Sequence, residues 1–255
     1  MFFFALAGRW LLAACDPAEP KEGSSQEVDS AHVEALGYQM IDTILEFIVE
    51  DGNRGYVRIE IEFPHFYGPD LSDDLNRLID SKLWAQARTT DRTWQEQITC
   101  YVDQYKQMQA ELGYTVPWTH KESRTIRRFD DEVLTLERDY SDYSGGAHGR
   151  HETHYYNFDV QTGDTLLLDD IIKPGAREPV QALVDFHYRE QEGLAPDASL
   201  TTDGILSVES IPLTENFSLE PKGIRFYYNP YEIAAYAAGA IIIEVPKSDL
   251  ESYLK

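Results

Sequence analysis

His148, His151 and His154 recur at every third position with Glu152 among them, and these residue types are the ligands a zinc ion takes. A hydrolytic zinc helix sets its two histidines four apart, with a glutamate after the first, so that both imidazoles face one way. Here the spacing is three, and on a strand His151 and His154 point to opposite faces. They are read as polar strand residues, with no metal and no cofactor. The pairs Asp130-Asp131 and Asp169-Asp170 raise the question of glycoside hydrolysis, which needs two carboxylates about 5 to 9.5 Å apart across a cleft. Adjacent residues diverge, so the first pair reads as a turn and the second as a helix-capping signal. No Gly-x-Ser-x-Gly elbow or phosphate-cradling glycine loop occurs, and Ser144, before Gly145-Gly146, reads as a turn residue. No catalytic constellation is complete. The chain is therefore read as a non-enzyme, an unrecognised cell-wall hydrolase being the catalytic alternative.

Cys15 offers a different chemistry. An apolar stretch, Phe2 to Leu6 and Trp10 to Ala14 interrupted by Gly8 and Arg9, is too short to span a bilayer and ends in Leu12-Ala13-Ala14-Cys15. This resembles a bacterial lipobox, whose cysteine thiol receives a diacylglycerol and becomes the new N-terminus. The expectation is a signal peptide over 1–14, a lipid on Cys15 and residence in the bacterial cell envelope, with the membrane touched only through that anchor. Cys100 would then be the single remaining thiol, inside a helix and read as a small buried side chain. Residues 15–36, with Asp16, Glu19, Glu22, Glu27, Asp29 and Glu34 against Lys21 alone, read as an acidic flexible tether.

The 255 residues carry 45 acidic and 22 basic side chains, a formal net charge of -23. Nucleic acid is excluded as a partner, since binding phosphates needs a basic patch. The fitting macromolecular partner is cationic. With 42% hydrophobic residues the chain is long and apolar enough to bury a core.

The elements that must position these residues are mostly strands. Val57, Ile59, Ile61 and Phe63 alternate with polar neighbours, a strand expected to stop at Pro64. Gln39 to Glu50 fits a helix or a strand. The strand reading is preferred, because Ile41, Leu45, Phe47 and Val49 share one pleat face and residues 51–55 can close a hairpin. Two helices follow, one capped by Ser72 and reaching Leu83, the other capped by Thr93, striped by Ile98, Tyr101, Val102, Tyr105 and Met108, and ended by Gly113. Thr125–Phe129 and Val133–Tyr143 form an antiparallel pair around Asp130-Asp131. A strand over Thr153–Val160 ends in a turn at Gly163, and a helix runs from Pro179 to Gln191. Strands are expected at Ile205–Val208, Ile224–Tyr228 and Ile241–Val245, with a closing helix over Ser248–Leu254. The class is α+β, with mainly antiparallel sheets and helices inserted in blocks.

Several stretches carry a resemblance. Tyr143-Ser144-Gly145-Gly146-Ala147-His148-Gly149, Tyr156-Asn157-Phe158-Asp159, Leu168-Asp169-Asp170 and Phe226-Tyr227-Tyr228-Asn229-Pro230-Tyr231-Glu232-Ile233-Ala234, followed by Tyr236-Ala237-Ala238-Gly239, are similar to the paired extracellular modules of the RsiV/PdaC type. Phe63-Pro64-His65-Phe66 resembles the start of the first module. Where the family reads Ile-Ala-Pro-Tyr, this chain reads Ile233-Ala234-Ala235-Tyr236. The resemblance implies two tightly associated modules, PdaC-like over 37–149 and RsiV-like over 150–255. In this family such modules form the lysozyme-binding outer part of an anti-sigma factor and the N-terminal part of a peptidoglycan deacetylase. Neither a membrane-spanning helix before the modules nor a catalytic domain after them is read in this sequence. The expectation is the binding portion alone, its partner a basic lysozyme-type muramidase, inhibited only if the contact covers the cleft, with peptidoglycan itself or a purely structural envelope role as the rivals. Tyr143, Ser144, Gly145, Gly146, His148, Tyr228, Asn229, Tyr231 and Tyr236 are the candidates for the binding face or its support. Packing of the two segments as a structural corner is the competing reading.

Overall fold

A computed structural model describes residues 37–49, 55–68, 73, 75–77, 94–113, 116–201 and 206–255. The lipobox, the tether, the hairpin tip at 51–54 and most of the expected helix over 72–83 lie outside these residues. The described residues fall in one compact unit built on two sheets. The first has five strands in sequence order: β1 (Gly37–Val49), β2 (Gly55–Tyr67), β3 (Trp118–Phe129), β4 (Val133–Tyr143) and β5 (Arg150–Asp159). The second has three: β6 (Phe217–Glu220), β7 (Gly223–Tyr228) and β8 (Ile241–Pro246). Among these pairings only β2 with β3 is parallel, and its crossover carries helix α1 (Trp94–Leu112). The α+β class is as expected.

β1 and β2 form the expected hairpin, in register from Gly37 opposite Tyr67 to Val49 opposite Gly55. The strand reading prevails over the helix because Ile41, Leu45 and Phe47, on one pleat face, pack toward Val57, Ile59, Ile61 and Phe63. Pro64 corrects the sequence reading, for β2 continues through it to Tyr67. Its pairing with β3 ends at Glu62, so at Pro64 only β1 lies alongside and a missing N–H is tolerated. α1 lays Ile98, Val102 and Tyr105 on the same cluster and ends at Gly113, whose φ of 62° lets its N–H reach the Gln109 carbonyl.

The second core packs α2 (Leu168–Ile171), α3 (Arg177–Glu192) and α4 (Lys247–Leu250) on the three-stranded sheet, through Val180, Val184, Ile211, Phe217, Phe226, Ile243 and Leu250. Three readings are corrected here. Leu206–Val208 form no strand, only a single bridge from Leu206 to Ala234. Phe217–Glu220 is a strand whose four residues are too few to show an alternation. The closing helix stops at Leu250 and continues as a turn. Among the described residues no helix is long and apolar enough to cross a membrane.

Candidate functional site

The turn joining β4 to β5 is built by its glycines. Gly145 and Gly146 have φ of 106° and 101°, and a Cβ on Gly149 would lie 2.9 Å from the Asp142 carbonyl oxygen. Tyr143 fastens the turn by donating its hydroxyl to the Gly146 carbonyl at 3.2 Å, and Ser144 sits exposed at its start. His148 is exposed, and its Nδ1 lies 2.9 Å from the Gly149 carbonyl, so Nδ1 carries the proton.

The second segment begins where β7 ends. Tyr228 is buried and donates its hydroxyl to the Pro212 carbonyl at 2.6 Å. Asn229, also buried, mimics a strand: its Oδ1 accepts the Thr153 N–H at 2.8 Å and its Nδ2 donates to the Thr153 carbonyl at 3.0 Å. Both residues therefore support the face rather than lie on it. Tyr231 is 66% exposed with φ of 75°, and no other non-glycine residue among those described has a positive φ. A bulky side chain in that conformation costs about 1 kcal/mol or more, which the surroundings must hold.

The two segments meet. The Tyr236 ring stacks on His148 at 4.7 Å and on Tyr231 at 5.3 Å, giving a column from the glycine turn to Tyr231. The column puts His148 beside Tyr236 and Tyr231, which its separation from them by more than eighty residues in the chain did not require. His151 and His154 go elsewhere, to Asp139 at 3.3 Å and Glu152 at 2.9 Å, so the three histidines do not converge. Asp130 accepts the N–H groups of Glu132 and Val133 as a turn residue, and Asp170 accepts that of Leu167 at the start of α2.

Next to the turn, one face of β3, β4 and β5 carries three cross-strand rows: His120, Asp142 and Arg150, then Glu122, Tyr140 and Glu152, then Arg124, Arg138 and His154. Glu122 is 1% exposed, with Arg138 at 2.7 Å, Arg124 at 2.8 Å and His120 at 3.5 Å. Burial alone would raise its carboxyl, but Arg124, His120 and Arg138 outweigh that and hold it at about 2. Glu152 is likewise at about 2: burial is overcome by Arg150, the Tyr140 hydroxyl and His154. Burial works against the charge on His120, yet Asp142 and Glu122 raise its pKa above the ordinary 6.5. From α1, Tyr101 closes this face by donating to Asp142 at 2.8 Å. Carboxyls held near 2 do not donate protons at neutral pH, so Glu122 and Glu152 do not form an acid–base pair.

Sequence reasoning passed over these rows because His120, Glu122 and Arg124 alternate with Thr119, Lys121, Ser123 and Thr125, leaving β3 no apolar face to mark as buried. The signal was there in another form: a central strand polar on both sides must bury charge.

Residues 50–151 match the family model described as Deacetylase PdaC, and residues 169–248 match the one described as Protein of unknown function (DUF3298). The peptidoglycan-N-acetylmuramic acid deacetylase PdaC of Bacillus subtilis is 26% identical over 213 residues, 82% of this chain and 41% of that protein, so the chain spans about two fifths of its relative. Two crystal structures share the fold. A DUF3298 member of Bacteroides fragilis has a TM-score of 0.74 at 23% identity, over 88% of this chain and 96% of the other. A DUF3298 protein of Pseudomonas aeruginosa has 0.63 at 17%, over 86% and 95%. The PdaC match followed along the chain by the DUF3298 match, on a fold shared with DUF3298 structures, supports a PdaC/DUF3298-type module.

Proposed function

We propose that this chain is a non-catalytic binding module of the bacterial cell envelope, tethered through a lipid on Cys15, that captures a basic lysozyme-type muramidase. The observation that carries the reading is Tyr231, two-thirds exposed in a strained backbone conformation at the end of a ring column. Tyr231 lies at an exposed end of that column, where its ring can serve as an anchor. The net charge of -23 would steer a cationic enzyme toward the module, and the aromatic anchor would hold it there. Coverage of the partner's cleft would inhibit its muramidase activity.

Peptidoglycan is the second reading, favoured by the name of the Bacillus subtilis relative. Surface-immobilised module offered a basic lysozyme, and separately mixed with insoluble peptidoglycan, distinguishes the two. Capture of lysozyme with an association rate that falls sharply toward ~0.5 M salt, where the Debye length is about 4 Å, supports the proposal. Sedimentation with peptidoglycan and no capture of lysozyme would overturn it. For the anchor, Cys15→Ala should give an unprocessed precursor that takes up no labelled palmitate, and normal labelling of that variant would end the lipoprotein reading.

A further inference from the structure

We infer that His148 and Tyr236 are positioning residues: they hold the Tyr231 loop in its projecting conformation from across the molecule, and so slow the partner's dissociation. This rests on the proposed binding face and adds how that face is kept ready.

The loop is tied down on both sides of Tyr231. Before it, Asn229 pairs with the Thr153 backbone, and the Glu232 carboxylate accepts the Asn229 N–H at 3.1 Å. After it, the Ile233 carbonyl accepts the Ser207 N–H at 2.8 Å and its hydroxyl at 3.0 Å, while Ile233 and Ala234 are buried. These fasteners fix the ends of the loop. Tyr231 itself lies between them with its backbone at φ 75°, and its ring stacks on that of Tyr236. Tyr236 is 41% exposed and is held on its other side by His148. The chain of support runs from Tyr231 through Tyr236 to His148, and from there to a turn in the other sheet.

That turn is suited to hold a ring still. The Nδ1 proton of His148 is committed to the Gly149 carbonyl, which sets the ring plane. The missing Cβ of Gly149 lets the backbone pass against Asp142, and this close approach brings His148 to Tyr236. Ordering a projecting aromatic before encounter removes an entropic cost from binding, and the benefit appears in the dissociation rate.

The test compares the wild-type full chain with His148→Ala, His148→Phe and Tyr236→Ala. The first readout needs no partner: hydrogen exchange of the backbone amides at 231–239. Loss of the stack should speed exchange there by about three- to tenfold, the factor that an aromatic pair's contribution corresponds to, with other regions unchanged. His148→Phe, which keeps a ring, should restore slow exchange. The second readout is dissociation from a basic lysozyme, expected to quicken by a similar factor in the two alanine variants and to recover in His148→Phe. Unchanged loop exchange in His148→Ala overturns the inference. So does a His148→Phe protein with a slow-exchanging loop but weakened binding, because His148 would then touch the partner directly. If wild type does not bind lysozyme at all, the proposed partner fails, and the exchange readout still decides whether the rings hold the loop.

Discussion

Two buried regions of this molecule hold different things. Around α3 and the three-stranded sheet the interior is hydrocarbon and aromatic rings, from Val180 and Val184 to Phe226 and Ile243. On one face of β3–β5 the interior holds Glu122, Arg124, Arg138 and His120, each 3% exposed or less. Burying apolar area is favourable wherever it happens and tolerates pH. Burying ions is favourable only when every charge meets its counter-charge in good geometry, so the charged face stabilises little on net and tolerates few alternatives. The apolar core gains from every area it buries, and the charged face seats Tyr101 through Asp142.

Between the two cores runs a seam of asparagines that neither core explains. Asn157 donates to the Phe217 carbonyl at 2.8 Å and accepts the Leu219 N–H at 3.2 Å. Asn216 accepts the Tyr155 N–H at 2.8 Å and donates to the Thr153 carbonyl at 2.9 Å. Asn229 takes the Thr153 backbone on the same strand. The amides of Asn216 and Asn229 stand in for a missing neighbour strand along β5, satisfying the Tyr155 N–H and the Thr153 N–H and C=O, while Asn157 reaches from β5 to the β6 backbone.

The comparison breaks most visibly under truncation. Glu122→Leu leaves Arg124, Arg138 and His120 facing one another and should cost about 3–5 kcal/mol in urea unfolding at pH 7. Phe226→Ala, fully buried in the apolar core, should cost a similar ~3–5 kcal/mol. Acid separates the two. The Glu122 and Glu152 carboxyls drop from an ordinary 4.5 to about 2 on folding, so their stabilisation is complete above pH ~4.5 and is lost as pH falls through about 2. Wild type should therefore weaken steeply between pH 5 and 2. Over that range the deficit of Glu122→Leu relative to wild type should shrink, and that of Phe226→Ala should persist. Equal deficits at both ends of the range would mean the charged face contributes nothing as charge. His120 acts with the opposite sign: its pKa is raised on folding, so its contribution is full below 6.5 and fades as pH rises through the higher folded value.

Smaller effects sharpen the same contrast. Asn229→Ala strands the Thr153 N–H in a buried seam, while the Thr153 carbonyl keeps the Asn216 amide, and should cost about 1–3 kcal/mol, read as a lowered urea midpoint. Tyr231→Ala should change unfolding free energy by less than about 1 kcal/mol, because the ring is exposed and its backbone conformation is costly for either residue. The same variant should weaken lysozyme capture markedly, and full-strength capture would remove Tyr231 from the proposed contact.

Much of this was legible in the residues. The pleat alternation of β1 and β2, the Ile98–Val102–Tyr105 stripe with its Gly113 stop, and the glycines at 145, 146 and 149 each declare themselves within a short window, because local periodicity and backbone sterics are local properties. Tyr143–Gly149 and Tyr228–Gly239, read as a binding face or as a packed corner, touch through the His148–Tyr236 stack. Pro64 misled because its penalty depends on whether a second strand lies beside it, and that neighbour enters fifty residues later.

By itself, then, the sequence determined the class, the strand hairpin, the helix stripe and the net acidity. Only the tertiary structure decided which polar residues are buried. His120, Glu122 and Arg124 have the pattern of a solvated strand, and they became interior because β2 and β4 flank them and Tyr101 of α1 closes over them. The ring column, too, exists only once β5 brings the glycine turn against the end of β7. Charge burial and ring stacking are set by neighbours distant in the chain, and no window of sequence contains them.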